Sequence, residues 1–417
     1  MIYVISREGS PLMPCSMAIG RILLKEKRAI VKSCTPFTIQ LVFDTTGYVQ
    51  SLYFGIDTGS ETLGSAVVNE NNEVLYVSEV GVRNDIKPKM DRRRSYRRNR
   101  RYRKTPYRKC RFLNRRNSIR KDRFSPTMVS KIRSHEKEIK FVQKLLPVKK
   151  VIIETGTFDP HALKNPEVLK NKWMYQKGTN YSYANTKAFV RARDNYTCQH
   201  CKKKNVPNDV HHIVFRNDDG SDESENLICL CKKCHDALHD GKIRLRIQGK
   251  KKGTLNYATQ MNSIRCQLLK KVDCTETFGF ITKEHRQLMC LSKSHSNDAV
   301  AIACLPNIER AGLIDVSFKT DTVLYKKCVS YRDIQKFKGH HSEKRIPTGK
   351  ILGFRKFDKV RYEGIECFIK GRRSTGYAEL MDVKGNKLSF GHTPKLKNMK
   401  LLSSRKSWIV QEIKRVA

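Results

Sequence analysis

The sequence predicts a multidomain α+β protein, and three observations predict it. Apolar strand-like runs end in acids, a compact insert concentrates cysteine and histidine, and glycines punctuate alternating strands toward the C-terminus. Residues 1–49 read as a small β-rich module, with Tyr3-Val4-Ile5 and Thr38-Ile39-Gln40-Leu41-Val42 around the turn-forming Pro11-Leu12-Met13-Pro14. Over 50–88 an apolar strand from Tyr53 ends in Gly55-Ile56-Asp57-Thr58-Gly59-Ser60, and strands Leu63 to Val68 and Val74 to Val82 complete a meander. Residues 89–124 form an arginine-rich stretch, helical before and after Pro106. Residues 125–160 hold a helix, Pro126 to Leu146, and a buried strand, Val151-Ile152-Ile153-Glu154. A polar linker, 161–189, precedes the insert at 190–245. The mixed region 246–320 runs through Ser292-Lys293-Ser294-His295-Ser296-Asn297-Asp298-Ala299 into an apolar helix. Residues 321–417, with Gly353, Gly364, Gly371 and Gly376 at turns, read as a separate small β-barrel.

Charge narrows the function classes. Lys+Arg number 84 against 40 Asp+Glu, a formal net charge of +44, far beyond what solubility needs, so a polyanionic partner is expected. With 39% hydrophobic residues over 417 positions, the chain builds two or more folded units rather than a basic tail. Charged residues interrupt every apolar run short of the ~20 residues a bilayer requires, which excludes a membrane span. The start, MIYVISREGS, lacks a signal peptide's basic end and apolar stretch, so a reducing cytoplasm is the expected setting and paired cysteines are expected as metal ligands. Between Arg92 and Arg123, 17 of 32 residues are Lys or Arg and one is acidic, with Tyr96, Tyr102, Tyr107 and Phe112 interleaved. Solvated faces mix both signs; this one repels itself unless phosphates neutralise it. Arg93, Arg94, Arg97, Arg98, Arg100, Arg101 and Arg103 are its candidate backbone contacts.

Cys198-x-x-Cys201 and Cys231-x-x-Cys234 form two thiolate knuckles with 29 residues between them, the pattern of structural tetrahedral zinc. Cys229 is extra and is expected to pack. Between the knuckles lie Asp209-Val210-His211-His212-Ile213-Val214 and Asn226; His235 follows Cys234, with His239 one turn on. This constellation, with its ββα reading, resembles the zinc-stapled HNH nuclease motif over about 50 residues. The resemblance implies that His212 is the general base, His211 a ligand of one Mg²⁺ with His235 or His239 completing the site, and Asn226 the residue holding the loop that aims His212. A neutral histidine and a divalent cation are what phosphodiester hydrolysis needs, one to make hydroxide and one to neutralise the leaving oxygen. Many HNH relatives carry Asp where His211 sits.

Asp57, Glu154 and Asp298 close or follow apolar strands or open a helix. Together with Gly55 to Gly64 and the His295-to-Ala299 segment they resemble the split motifs of the RuvC-type RNase H fold. That resemblance implies two Mg²⁺ ions ~4 Å apart, bridged by Asp57 and further held by Glu154 and Asp298, because hard cations take oxygen ligands. His295, three residues before Asp298, is the candidate to activate water.

The combination resembles the IscB family, transposon-encoded RNA-guided DNA endonucleases related to the ancestors of type II CRISPR effectors. The family fold this implies is a split RuvC-like RNase H fold with an arginine-rich bridge helix, an inserted zinc-stapled ββα HNH domain, a PLMP-type N-terminal module and a C-terminal target-adjacent-motif-interacting β domain. Its candidate DNA-reading loop is Gly371-Arg372-Arg373-Ser374-Thr375-Gly376-Tyr377, with Arg372, Arg373 and Tyr377 as contacts. By family resemblance a structured guide RNA pairs with double-stranded target DNA beside a short flanking motif, HNH cuts the paired strand and the RuvC-like site the displaced one. The expected assembly is a monomer in a 1:1 RNA complex in a prokaryotic cytoplasm. A guide-free DNA nuclease shares both sites, and a non-catalytic zinc-stabilised RNA binder would lack one of these acids or histidines.

Overall fold

A computed structural model of the 417-residue chain describes residues 1–104, 124–178, 180–218, 220–249, 255–330, 334–336, 343–345 and 349–415. Two compact units divide it: Met1–Gly156 with Met261–Ala417, and Thr157–Gln260.

The first unit begins with β1 (Tyr3–Ile5), α1 (Met17–Lys25), β2 (Ala29–Cys34) and β3 (Phe37–Leu41). These strands pair in the order β1-β3-β2 around Ile2, Val4, Ile39 and Leu41. Then β4 (Leu52–Asp57), β5 (Thr62–Val68) and β6 (Glu73–Gly81) form the expected antiparallel meander. After it come α2 (Ile86–Lys104), α3 (Pro126–Leu145) and β7 (Val148–Thr155), the last parallel to β4. The expected helical continuation past Pro106 lies outside the described residues.

The second unit holds α4 (Pro160–Lys164), α5 (Thr186–Arg193), β8 (Asn208–His212), β9 (Leu227–Cys231) and α6 (Lys232–His239), so the insert is ββα as its sequence suggests. Residues 161–189, expected as a linker, belong to this unit and carry short helical turns.

Then follow α7 (Asn256–Lys271), β10 (Thr275–Phe278), α8 (Gly279–Leu288), α9 (His295–Ala311), β11 (Ser317–Phe318) and β12 (Thr322–Cys328). After β13 (Ile334–Lys336) and β14 (Glu343–Arg345) come β15 (Lys359–Tyr362), β16 (Ile365–Arg372), β17 (Ala378–Met381), β18 (Lys400–Ser403) and β19 (Trp408–Lys414). The central sheet of the first unit runs β10-β7-β4-β5-β6-β12-β19, with β11 beside β6. Its strands β10, β7 and β4 are parallel, whereas β5 opposes both neighbours.

The region after residue 321 departs from the expected separate barrel. Strands β12 and β19 pair with each other inside the central sheet, and β15 to β18 make a four-stranded antiparallel sheet around Val360, Tyr362, Ile369 and Leu380. Alternation of buried and exposed residues is the same for an edge strand of one sheet as for a barrel strand, so the pattern alone does not assign the partner. What secures β12 is a buried ion pair. Lys326 Nζ lies 2.8 Å from both carboxylate oxygens of Glu138 on α3, and Ser65, Ser78 and Tyr76 donate to the same carboxylate. Burial pushes the Lys326 ammonium down to about 8 against the attraction of Glu138.

Helix α9 lies flat on β4 and β5 because the facing residues are small. A Cβ on Gly55 would sit 2.3 Å from the Ala299 carbonyl oxygen, and one on Gly64 would sit 1.8 Å from that of His295. Gly55 on β4 and Gly64 on β5 therefore set how closely α9 approaches the β4–β5 hairpin. Ser294 caps the helix by accepting from the Asn297 amide at 3.1 Å, and Gly312 ends it in the left-handed region.

Candidate active sites

In the first unit, parallel pairing sets Asp57 at the end of β4 directly beside Glu154 of β7. The first turn of α9 adds Asp298 and His295. His295 Nδ1 lies 2.6 Å from Asp57 Oδ2, Thr58 Oγ1 donates to the Glu154 backbone carbonyl at 2.7 Å, and Arg286 of α8 pairs with Asp298 at 2.6 Å. The carboxylates feel one another. Burial, then the charges of Asp57 and Asp298, push the Glu154 carboxyl up to about 7. Burial and the neighbouring acids also raise Asp57 and Asp298, while its hydrogen bond to Asp57 holds the His295 imidazole above its ordinary range. Such mutual repulsion is what oxygen-coordinated divalent cations relieve, so the donor set fits a hard ion. The three carboxylates do not converge on a single point: among the described residues, only the cysteine and histidine groups below have all donor atoms within 4.8 Å of one another. Two ions several ångströms apart do not require that convergence.

Two contributors here carry no sequence signal. Glu79 of β6 accepts from the Ser296 amide and hydroxyl at 3.3 and 3.0 Å, pinning the start of α9. Arg286 reaches Asp298 from a separate helix, a pairing made only by tertiary packing.

In the second unit, β8 carries His211, which is buried, and His212, which is half-buried next to it. His235 and His239 stand one turn apart on α6 and complete a three-imidazole cluster with His211, the ring centroids 4.6 to 5.1 Å apart. Both α6 histidines join it. Burial, then the charges of His235, His239 and His212, push the His211 imidazole down to about 4, and its buried Nε2 has no hydrogen-bond partner. A neutral imidazole with an orphaned nitrogen among two others fits a metal ligand. His212 lines the same cleft, and its Nε2 lies 2.8 Å from Asp222 Oδ1, which also accepts from Arg216. Those two hydrogen bonds, that from His212 first, hold the Asp222 carboxyl below the usual range. Asn226, fully buried, accepts from the Val214 amide and donates to the carbonyls of Val214 and Ser221, clamping the loop that follows His212.

Cys198, Cys201, Cys231 and Cys234 converge so that they could hold a zinc ion, with Cys201 and Cys231 sulfurs 3.8 Å apart. Burial opposes ionisation of Cys198, yet backbone amides of Cys231, Cys201 and His200 bring it down to about 6; burial and the other three sulfurs push Cys234 up to about 12. A readily ionised Cys198 among four converging sulfurs suits a soft dication. Cys229 packs in the interior.

The nucleic-acid candidates are placed differently. Arg93, Arg94, Arg97 and Arg98 are exposed on α2; Arg100, Arg101 and Arg103 belong to the same helix, and their side chains fall outside the described residues. Arg372 is half-buried and donates to the carbonyls of Gly349 and Phe354. Arg373 is exposed at a turn closed by its own amide on the Tyr377 carbonyl, 2.8 Å away, and Tyr377 is half-buried beside it.

Residues 2–178 match the family described as RRXRR protein, and residues 198–241 match HNH endonuclease. The chain has the IscB-type arrangement. Its HNH domain makes it a metal-dependent DNA-cleaving hydrolase. Arg97-Arg98-Asn99-Arg100-Arg101 spells the first family's name within α2. A 67-residue stretch, 16% of this IscB-type chain, is 27% identical to anaredoxin of Nostoc sp. (strain PCC 7120 / SAG 25.82 / UTEX 2576), covering 88% of that protein. Among the described residues no helix is long and apolar enough to cross a membrane.

Proposed function

We propose that this IscB-type nuclease is guided by a structured RNA and cuts both strands of a target duplex, the guide-paired strand at the HNH site and the displaced strand at Asp57, Glu154 and Asp298. The observation that carries the reading is two clusters of candidate hydrolytic residues, one on each of two separate units of one strongly basic chain. The sheet order supports a RuvC-like RNase H core, because three parallel strands flanked by an antiparallel meander bring the acids to one end.

At the HNH site, His212 takes the proton of the attacking water as the water oxygen bonds phosphorus and the P–O3′ bond breaks. Asp222 holds its imidazole, and Asn226 holds the loop behind it. A divalent cation on His211, His235 and His239 would neutralise the leaving oxygen. Three imidazoles without a carboxylate favour a borderline ion such as Zn²⁺ or Ni²⁺ over the single Mg²⁺ that HNH resemblance implies. At the other site, His295 receives the proton of water, and Asp57, Glu154 and Asp298 would hold two Mg²⁺ ions. The exposed arginines of α2 bind guide-RNA phosphates, an RNA of this kind supplies much of the scaffold, and the sheet of β15 to β18 reads the flanking motif, with Arg373 better placed than Arg372. Base pairing then reads the target sequence, as in other guided nucleases.

The test is to sequence the RNA that copurifies with the full chain and to present the complex with matched duplex. Two strand cuts are expected. Asp57→Ala and His212→Ala should each leave a nickase, with opposite strands intact. Cutting that persists after the RNA is removed would replace this reading with a guide-free nuclease.

A further inference from the structure

Beside Glu154 the surface presents a feature that hydrolysis itself does not use. Phe278 ends β10, the edge strand of the central sheet, where it pairs with Thr155, the residue after Glu154. Phe280 follows in the first turn of α8. Both rings are exposed, at 39% and 71%, and they lie parallel within 4° with centroids 6.3 Å apart. Gly279 between them faces the acid so closely that a Cβ there would lie 3.0 Å from Glu154 Oε1. Two large apolar rings left in water at the rim of a carboxylate cluster forgo a burial that neighbouring core positions obtain.

We propose that Phe278 and Phe280 form a stacking platform for unpaired bases of single-stranded DNA, setting the strand so that its scissile phosphate meets Asp57, Glu154 and Asp298. A duplex keeps its base faces within its own stack and has none to offer the rings. A single strand presents them, and base–aromatic stacking tolerates any sequence. The geometry thereby selects a displaced strand over a paired one at this site. Having no side chain, Gly279 leaves Glu154 Oε1 uncovered between the two rings. This inference rests on the proposed strand-cutting role of the three acids.

The test uses the full chain with its copurifying RNA. A 2-aminopurine-labelled single-stranded DNA, in calcium to suppress cutting, reports stacking by quenching, and a matched duplex reports each strand's cleavage. Phe278→Ala/Phe280→Ala should abolish the quenching, weaken single-strand binding about 5- to 150-fold, and slow the displaced-strand cut, while the HNH-strand cut stays at the wild-type rate and shows that the variant folds. Phe280→Trp should retain stacking where Phe280→Leu does not. Wild-type binding and nicking by the double alanine variant, or equal performance of Leu and Trp, overturns the platform. Asp57→Ala measured in parallel separates the two levels: loss of one cut there with normal behaviour of the alanine variants removes the platform alone, whereas both cuts surviving Asp57→Ala removes the underlying reading with it.

Discussion

Proton and metal compete most directly at single residues. Glu154, held up at about 7 by burial and by Asp57 and Asp298, keeps its proton in the folded chain at pH values where an unfolded glutamate has lost it. Between about pH 4.5 and 7 the native state binds more protons, so the contribution of Glu154 to stability falls as pH rises through that window. A divalent cation on the carboxylates reverses the trend, because it takes the place of the proton. Magnesium should therefore raise the thermal midpoint more at pH 7.5 than at pH 5.5, and Asp57→Ala should remove most of the difference; a pH-independent magnesium effect would place the ion elsewhere. His211 makes the opposite demand. Burial and then the neighbouring histidines keep it neutral, and its buried Nε2 has no hydrogen-bond partner, which suits a metal that prefers imidazole. His239→Ala should cut the HNH-strand rate about 10-fold or more and lower retention of Zn²⁺ or Ni²⁺, with the displaced-strand rate unchanged.

At the scale of elements, glycine and buried charge decide what can pack. Gly64→Ala places a methyl group 1.8 Å from the His295 carbonyl oxygen, so the start of α9, with His295 and Asp298, must move off β5. Displaced-strand cutting should fall by about 10²-fold, since a shift near 1 Å costs that much, while the HNH cut continues. The Glu138–Lys326 pair gives a second prediction. Lys326→Met strands a buried carboxylate and should destabilise the first unit by about 3–5 kcal/mol, whereas Lys326→Met/Glu138→Leu should recover much of that in chemical denaturation. These elements also explain what was legible beforehand. His211, His212 and the four cysteines stand in local patterns readable over a few residues, whereas Asp57, Glu154 and Asp298 each read alone as ordinary acids and gain meaning only together, by family resemblance. Arg286, Glu79, Asp222 and the Phe278–Phe280 pair become meaningful only when distant segments meet, and a strand such as β12 alternates identically whichever sheet it joins.

For the whole molecule, the governing quantity is charge. A surplus of +44 opposes compaction of the free chain, and α2 places exposed arginines with few intrahelical acids to offset them. Phosphates bound there release counterions, so RNA retention must weaken with salt in proportion to the number of phosphates neutralised. Replacing Arg93, Arg97, Arg100 and Arg101 with Ala should flatten the log–log salt dependence of RNA binding by roughly 0.7–0.9 for each phosphate left without its arginine, up to four in all. Affinity should fall by a similar factor for any RNA sequence, because groups that hold phosphates set register and carry no base information. A variant that keeps the wild-type slope would assign α2 to solvent or to DNA, and one whose affinity dropped for some RNA sequences only would make these arginines readers of bases.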